Sequence, residues 1–287
     1  MENSFEEETI YPSASAENIA TAVDTIESSL SGFLSEDKPE VSSSGNVFTN
    51  DDGLGDVVEN LHHLDVVSAK PRVGIVIGGG AIFSCLPEIP SDIIVMIDRD
   101  PFVGKWINTS AEIFRQENSP EGYKRRIFSQ QNPLYVQKTS AGNIPLEQDF
   151  GAEQRYLGKK HFLSSEERYQ ECKHVFAAKK MIATTFDISD IAAMAKLKDA
   201  LISAESEIAF ANLTNVWEFT GNQLAGALRL LPFHPEAIFI HSSFAYRFRR
   251  GGHSHPEAQH KIKGLEEFIK EEEREFALYQ SDRQRKT

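Results

Sequence analysis

Two cysteines, Cys85 and Cys172, are all that 287 residues contain. They fall in different expected elements and in no metal-ligand spacing, which argues against a disulfide framework and makes a reducing, cytoplasmic compartment the default. No apolar run reaches the roughly 18 residues that a helical bilayer crossing needs. The opening MENSFEEETIYPSASAENIA is acidic where a secretory signal is basic and then apolar. Positive charge is scarce in the same region: residues 1–65 carry 15 of the 43 Asp and Glu against one basic residue, Lys38. The net charge of −13 therefore belongs to this segment, and the rest of the chain is close to neutral. Such a domain lacks the basic footprint that phosphate neutralisation requires, so nucleic acid is not an expected partner.

What is present divides the chain in two. Residues 1–65 read as an acidic, largely disordered arm, with VSSSGNVFTNDDGLGD as a linker that offers little apolar surface to offset chain entropy. Within the arm Ile19, Val23, Ile26, Leu30 and Phe33 recur at spacings of four and three, an amphipathic helix over 16–35 with Ser15 as its N-cap. Packing on its own domain is one reading of that stripe; docking of a protein partner is the other. Residues 66–287 alternate short Val, Ile and Phe runs with helical stretches. They predict strands at 72–77, 93–97, 181–186, 207–211 and 237–241, with helices at 103–116, 190–203 and 221–231. The fold class is α/β, a doubly wound, mostly parallel sheet. A long helical and loop insertion over about 101–180 follows the second strand, where it reads as a lid, binding loop or small subdomain.

Ligands of such sheets bind beyond the carboxyl ends of the strands. There the first strand meets Gly78, Gly79 and Gly80, and Asp98 follows twenty positions after Gly78, with Asp100 close behind. A glycine turn lets backbone approach a ligand, and an acid at that offset suits the two hydroxyls of a ribose. Phe83 occupies the place of a third glycine, which weakens a pyrophosphate-reading motif. At the end of the third strand, Asp187 can accept from an exocyclic amine while Ile188 lies against a ring; Ser189 and Asp190 suit helix capping.

The runs VGIVIGGGAIFSCLP, IIVMIDRDP, ATTFDISD and IAFANLTNVWEF resemble, in order, the successive motifs of class I S-adenosylmethionine-dependent methyltransferases, over roughly residues 70–245. The resemblance implies S-adenosylmethionine as cofactor. Gly78, Gly79 and Gly80 would lie by its methionine part, Asp98 or else Asp100 on its ribose, and Asp187 and Ile188 beside adenine. It also implies that the fourth strand end faces the transferred methyl, which makes Asn212 and Asn215 catalytic candidates, with a small molecule or a protein as acceptor; His241, at the expected end of the fifth strand on the same edge, is a candidate general base. Asn side chains also form turns, and a strand-end His can be a hydrogen-bonded core residue. His253, His255 and His260 read as an exposed loop, and no metal is expected. Two alternatives stay open: a nicotinamide-dependent oxidoreductase, and a methyltransferase-like binding or effector module without catalysis. The run EEFIKEEEREF (266–276) resembles the glutamate block near the C-terminus of some bacterial type IV secreted effectors, which implies delivery into a host cell; a solvated helix face is the other reading.

Overall fold

Uninterrupted Val, Ile and Met runs are what a strand buried on both faces requires, and in the computed structural model they form the centre of the fold. The structure describes residues 13–35, 54–61, 64–79, 81–129, 131, 132, 134, 136–139, 142–213, 223–245, 257–270, 273, 274 and 277. In chain order the strands are β1 (Arg72–Ile77), β2 (Ile93–Asp98), β3 (Val136–Thr139), β4 (Gly142–Pro145), β5 (Lys180–Thr185), β6 (Glu207–Asn212), β7 (Phe233–Ala245) and β8 (Glu257–Lys263). Among the described residues they make a six-stranded sheet in the order β5-β2-β1-β6-β7-β8, while β3 and β4 pair only with each other. The first five strands of that order run parallel, and β8 closes the edge antiparallel to β7.

The helices are α1 (Ala16–Ser29), α2 (Leu54–Leu61), α3 (Ile82–Cys85), α4 (Pro101–Gln116), α5 (Pro120–Ile127), α6 (Leu146–Leu157), α7 (Glu166–Ala178), α8 (Ile191–Ser203) and α9 (Gln223–Leu228). Strand side chains alternate between faces. Ile93, Val95 and Ile97 point into a core shared with α1, α8 and α9, while Ile94 and Met96 point into one shared with α2, α4 and the rest of the insertion. No described helix is long and apolar enough to cross a membrane.

The N-terminal stripe packs on its own domain. Ser15 caps α1 by accepting from the Asn18 N–H at 3.1 Å, and Ala22, Ile26 and Leu30 are buried in the core that includes α8. Ile19, Val23 and Phe33 lie partly buried against the same cluster. The reading of helix 16–35 as a docking site for a protein partner is thereby corrected, because its apolar face is already covered. After the helix, Leu34 bridges to Thr184, and Ser35 shares a 2.8 Å hydrogen bond with Thr185. The expected linker is also shorter than its composition suggests: α2 begins at Leu54 and buries Leu54, Val57, Val58 and Leu61.

Candidate functional site at the carboxyl edge of the sheet

From β1 the chain builds outward through β2 and β5 on one side, then through β6 and β7 on the other. The strand order reverses beside β1, which is where doubly wound sheets open a ligand crevice. β1 delivers Gly78 to this edge at φ +76°, a left-handed conformation that glycine adopts without steric cost. Its N–H donates to the Ile97 carbonyl at 3.0 Å. A Cβ on Gly78 would stand 3.7 Å from Asp98 Oδ2, so the turn and the acid face each other with no side chain between them. Gly79 lies so close to α4 that a Cβ there would come within 3.0 Å of Ile107. Gly80 lies outside the described residues.

Asp98 ends β2 and accepts the Asp100 N–H at 2.7 Å. Burial pushes its carboxyl up to about 6; the neighbouring Asp100 charge adds to the shift, while the Asp100 N–H and Arg99 oppose it. Asp100 itself caps α4, accepting from the Phe102 N–H at 2.9 Å with Pro101 in the first turn. Helix capping therefore occupies Asp100 and leaves Asp98 as the acid that faces the turn.

At the end of β5, Asp187 is exposed and turns its carboxylate onto the Ser189 N–H and hydroxyl at 2.8 and 2.6 Å. Ile188 is buried in the core that contains α8, and Asp190 caps α8 through the N–H groups of Ala192 and Ala193. Asn212 is buried at the end of β6, in register with Val76 of β1 and Ile240 of β7. It thus stands between the central strand and β7. Asn215 lies outside the described residues. His241 follows Ile240 in β7 and pairs with Lys261 of β8. The expectation that His241 ends its strand is corrected: β7 continues to Ala245 because β8 supplies a partner for the extra residues.

Phe83, where a third glycine would stand, joins an aromatic cluster with Phe114, Phe162 and Phe176 at centroid distances of 5.3 to 5.6 Å. Helix α3 is a single turn, too short to cover the sheet, and the insertion covers it instead. Between them lies a small recess lined by Gly79, Ala81, Trp106, Tyr123, Phe150 and Glu153, among others. Sequence reasoning missed Glu153. It sits in the stretch DFGAEQRYLGKK, whose polar composition reads as loop, and nothing local marks one of its acids as buried. Glu153 is 3% exposed and accepts the Ala81 N–H at 3.1 Å. His161, 1% exposed, brings Nε2 to 3.4 Å from the other carboxylate oxygen.

Both cysteines are buried, and burial pushes their thiols up, which removes them as nucleophiles at neutral pH. Among the described residues no group of three or more His, Cys, Asp or Glu side chains could hold a metal ion. The glycine turn, the facing acid and the reversal of strand order belong to a doubly wound α/β domain whose candidate ligand edge lies at β1, β2 and β6.

No family model matches the chain, and no curated protein matches it. Among solved structures it is similar to the rRNA methyltransferase aviRa from Streptomyces viridochromogenes, with a TM-score of 0.39 and 10% identity, over 79% of this chain and 88% of that one. A likeness this loose fixes no activity for this chain.

Proposed function

We propose that the protein is an S-adenosylmethionine-dependent methyltransferase acting on a small-molecule or protein acceptor. The observation that carries this reading is the Gly78 turn set against the Asp98 carboxylate, with 3.7 Å between the would-be Cβ and Oδ2, on adjoining strand ends beside the reversal of strand order. This pair fits a nucleoside cofactor. Backbone stripped of side chains allows close approach, and a carboxylate can accept from both hydroxyls of a ribose. Gly78, Gly79 and Gly80 would hold the methionine part, Asp98 the ribose, and Asp187 with Ile188 the adenine end. When bound, the cofactor supplies an electrophilic methyl group on a sulfonium.

Transfer of that group is an in-line displacement, so the protein's main task is to align the acceptor and exclude water. The Asn212 side chain can both donate and accept, which suits orienting an amine or hydroxyl acceptor at the end of β6. Asn215 would assist it, and His241 would take the proton that the acceptor releases. The insertion at about 101–180 would supply the acceptor's wall.

Isothermal titration of the full chain with S-adenosylhomocysteine, S-adenosylmethionine and NAD tests this reading. S-adenosylhomocysteine is expected to bind, and Asp98→Ala to weaken it roughly ten- to hundredfold, since hydrogen bonds to a charged group contribute about 1.5–3 kcal/mol. Binding of NAD alone would replace the reading with an oxidoreductase. Binding without turnover of any acceptor would leave a binding module.

A further inference from the structure

Ala81 closes the glycine turn at φ +60°, ψ 4°, a left-handed conformation that an L-residue with a Cβ adopts only when its surroundings hold it there. The group that meets its N–H comes from 72 residues away: Glu153 of α6 accepts that N–H at 3.1 Å. Glu153 is buried beside Trp106, Tyr123 and Phe150. Behind it, His161 Nδ1 accepts the Leu163 N–H at 3.1 Å, which leaves Nε2 as the ring nitrogen able to carry a proton. That nitrogen faces Glu153 Oε1 at 3.4 Å without completing a hydrogen bond. Phe150 and Phe162 flank the imidazole at centroid distances of 5.2 and 4.9 Å and fix its orientation. A buried carboxylate is costly among aromatic rings unless donors meet it, so a simple packing role would favour an apolar side chain here.

We infer that Glu153 is a positioning residue, with His161 behind it, through which the insertion holds the Ala81 backbone that follows the Gly78 turn in its ligand-ready shape. The inference rests on the reading of that turn as a cofactor site. It gives the insertion a task besides covering the sheet. Whatever moves α6, including an acceptor bound against the insertion, moves the acceptor oxygen that meets Ala81, so the two parts of the site are mechanically joined.

The test compares Glu153→Met and Glu153→Gln in the full chain. Met keeps the length and suits the apolar surroundings but offers no oxygen; Gln keeps one carbonyl acceptor. Thermal melts, amide hydrogen exchange of the peptide spanning 78–83 and titration with S-adenosylhomocysteine are read together. Glu153→Met is expected to fold with an unchanged or higher melting temperature, to exchange at least tenfold faster in that peptide, and to bind about tenfold more weakly. Exchange across α8 should stay at its wild-type rate. Glu153→Gln should recover exchange and affinity to within about threefold of wild type. Wild-type protection of the turn in Glu153→Met would overturn the inference, as would failure of Gln to do better than Met, or a loosened turn with unaltered affinity. If the wild-type chain binds no S-adenosylhomocysteine, the cofactor reading fails, while the exchange measurements still decide whether Glu153 holds the turn.

Discussion

The two faces of the sheet are covered in different ways. On the face shared by α1, α8 and α9 the core is mainly aliphatic, built from residues such as Ile26, Leu30, Leu197 and Leu201, with Phe186, Phe239 and Phe268 among them. On the other face the core is aromatic, centred on Phe83, Phe114 and Phe162. Every buried Asp, Glu, Arg or His among the described residues lies in the insertion, at its very start or in the segment between β1 and β2: Glu88, Asp100, Glu153, His161 and Arg168. Arg168 joins the two, donating to the Ser84 carbonyl at 2.6 Å and to both oxygens of Glu88 at 3.0 and 3.1 Å. Burial works against its charge, yet Glu88 and Glu171 outweigh it and hold the guanidinium above its usual range. The first face is closed by helices whose own periodicity supplies a dry stripe. The second is closed by a long excursion that must be pinned to a four-residue helix, and directional, charge-assisted bonds do that pinning.

Removing a pin should be costly. Arg168→Ala strips buried Glu88 of its closest donor and leaves it Lys160 Nζ at 3.7 Å, and is expected to lower unfolding stability by about 3 kcal/mol, read by urea denaturation. Adding Glu88→Leu to that variant should restore a large part of it; no restoration would mean that Arg168 acts by packing and not by charge. On the dry face the comparable change is Leu30→Ala. Leu30 is fully buried, so a loss of about 2–5 kcal/mol is expected. An unaltered midpoint would show that α1 contributes nothing to the fold.

The smallest effect sharpens the contrast at the edge where Asp98 stands. The carboxyl of Asp98 stands at about 6 in the fold against 3.8 unfolded. Its charged form is therefore disfavoured by folding, and the resulting penalty, present above pH 6, fades as pH falls from about 6 towards 4. The wild type should gain about 1 kcal/mol relative to Asp98→Asn between pH 7 and pH 5. If Asp98 accepts from a ribose, S-adenosylhomocysteine affinity should move the opposite way and weaken below pH 6. A ligand affinity equally flat in both proteins would separate Asp98 from the ligand.

Much of the frame was legible because its causes are local. The apolar runs at 72–77, 93–97, 181–186 and 207–211 became β1, β2, β5 and β6 within a residue at each end. Ser15 capped α1 and Asp190 capped α8, as their side-chain chemistry favours. The Gly78 to Asp98 offset was legible too, since each residue sits at the end of its own strand and β1 pairs with β2 in parallel register. What stayed hidden depended on distant partners. The stripe of α1 carried no mark of whether its own domain or another protein would cover it. The run at 237–241 could not reveal that β8 extends β7 to Ala245.

By itself, then, the sequence determined where strands and caps form and that a glycine turn meets an acid, because hydrophobic period, φ preference and capping act within a few residues. Only the tertiary structure decided that Glu153 reaches the Ala81 N–H, that Phe83 belongs to an aromatic cluster, and that Arg168 closes on Glu88. A Glu or an Arg in a polar stretch has the same local signature whether it is solvated or buried. Its role is set by the desolvation and the partners that folding brings to it from 72 to 84 residues away.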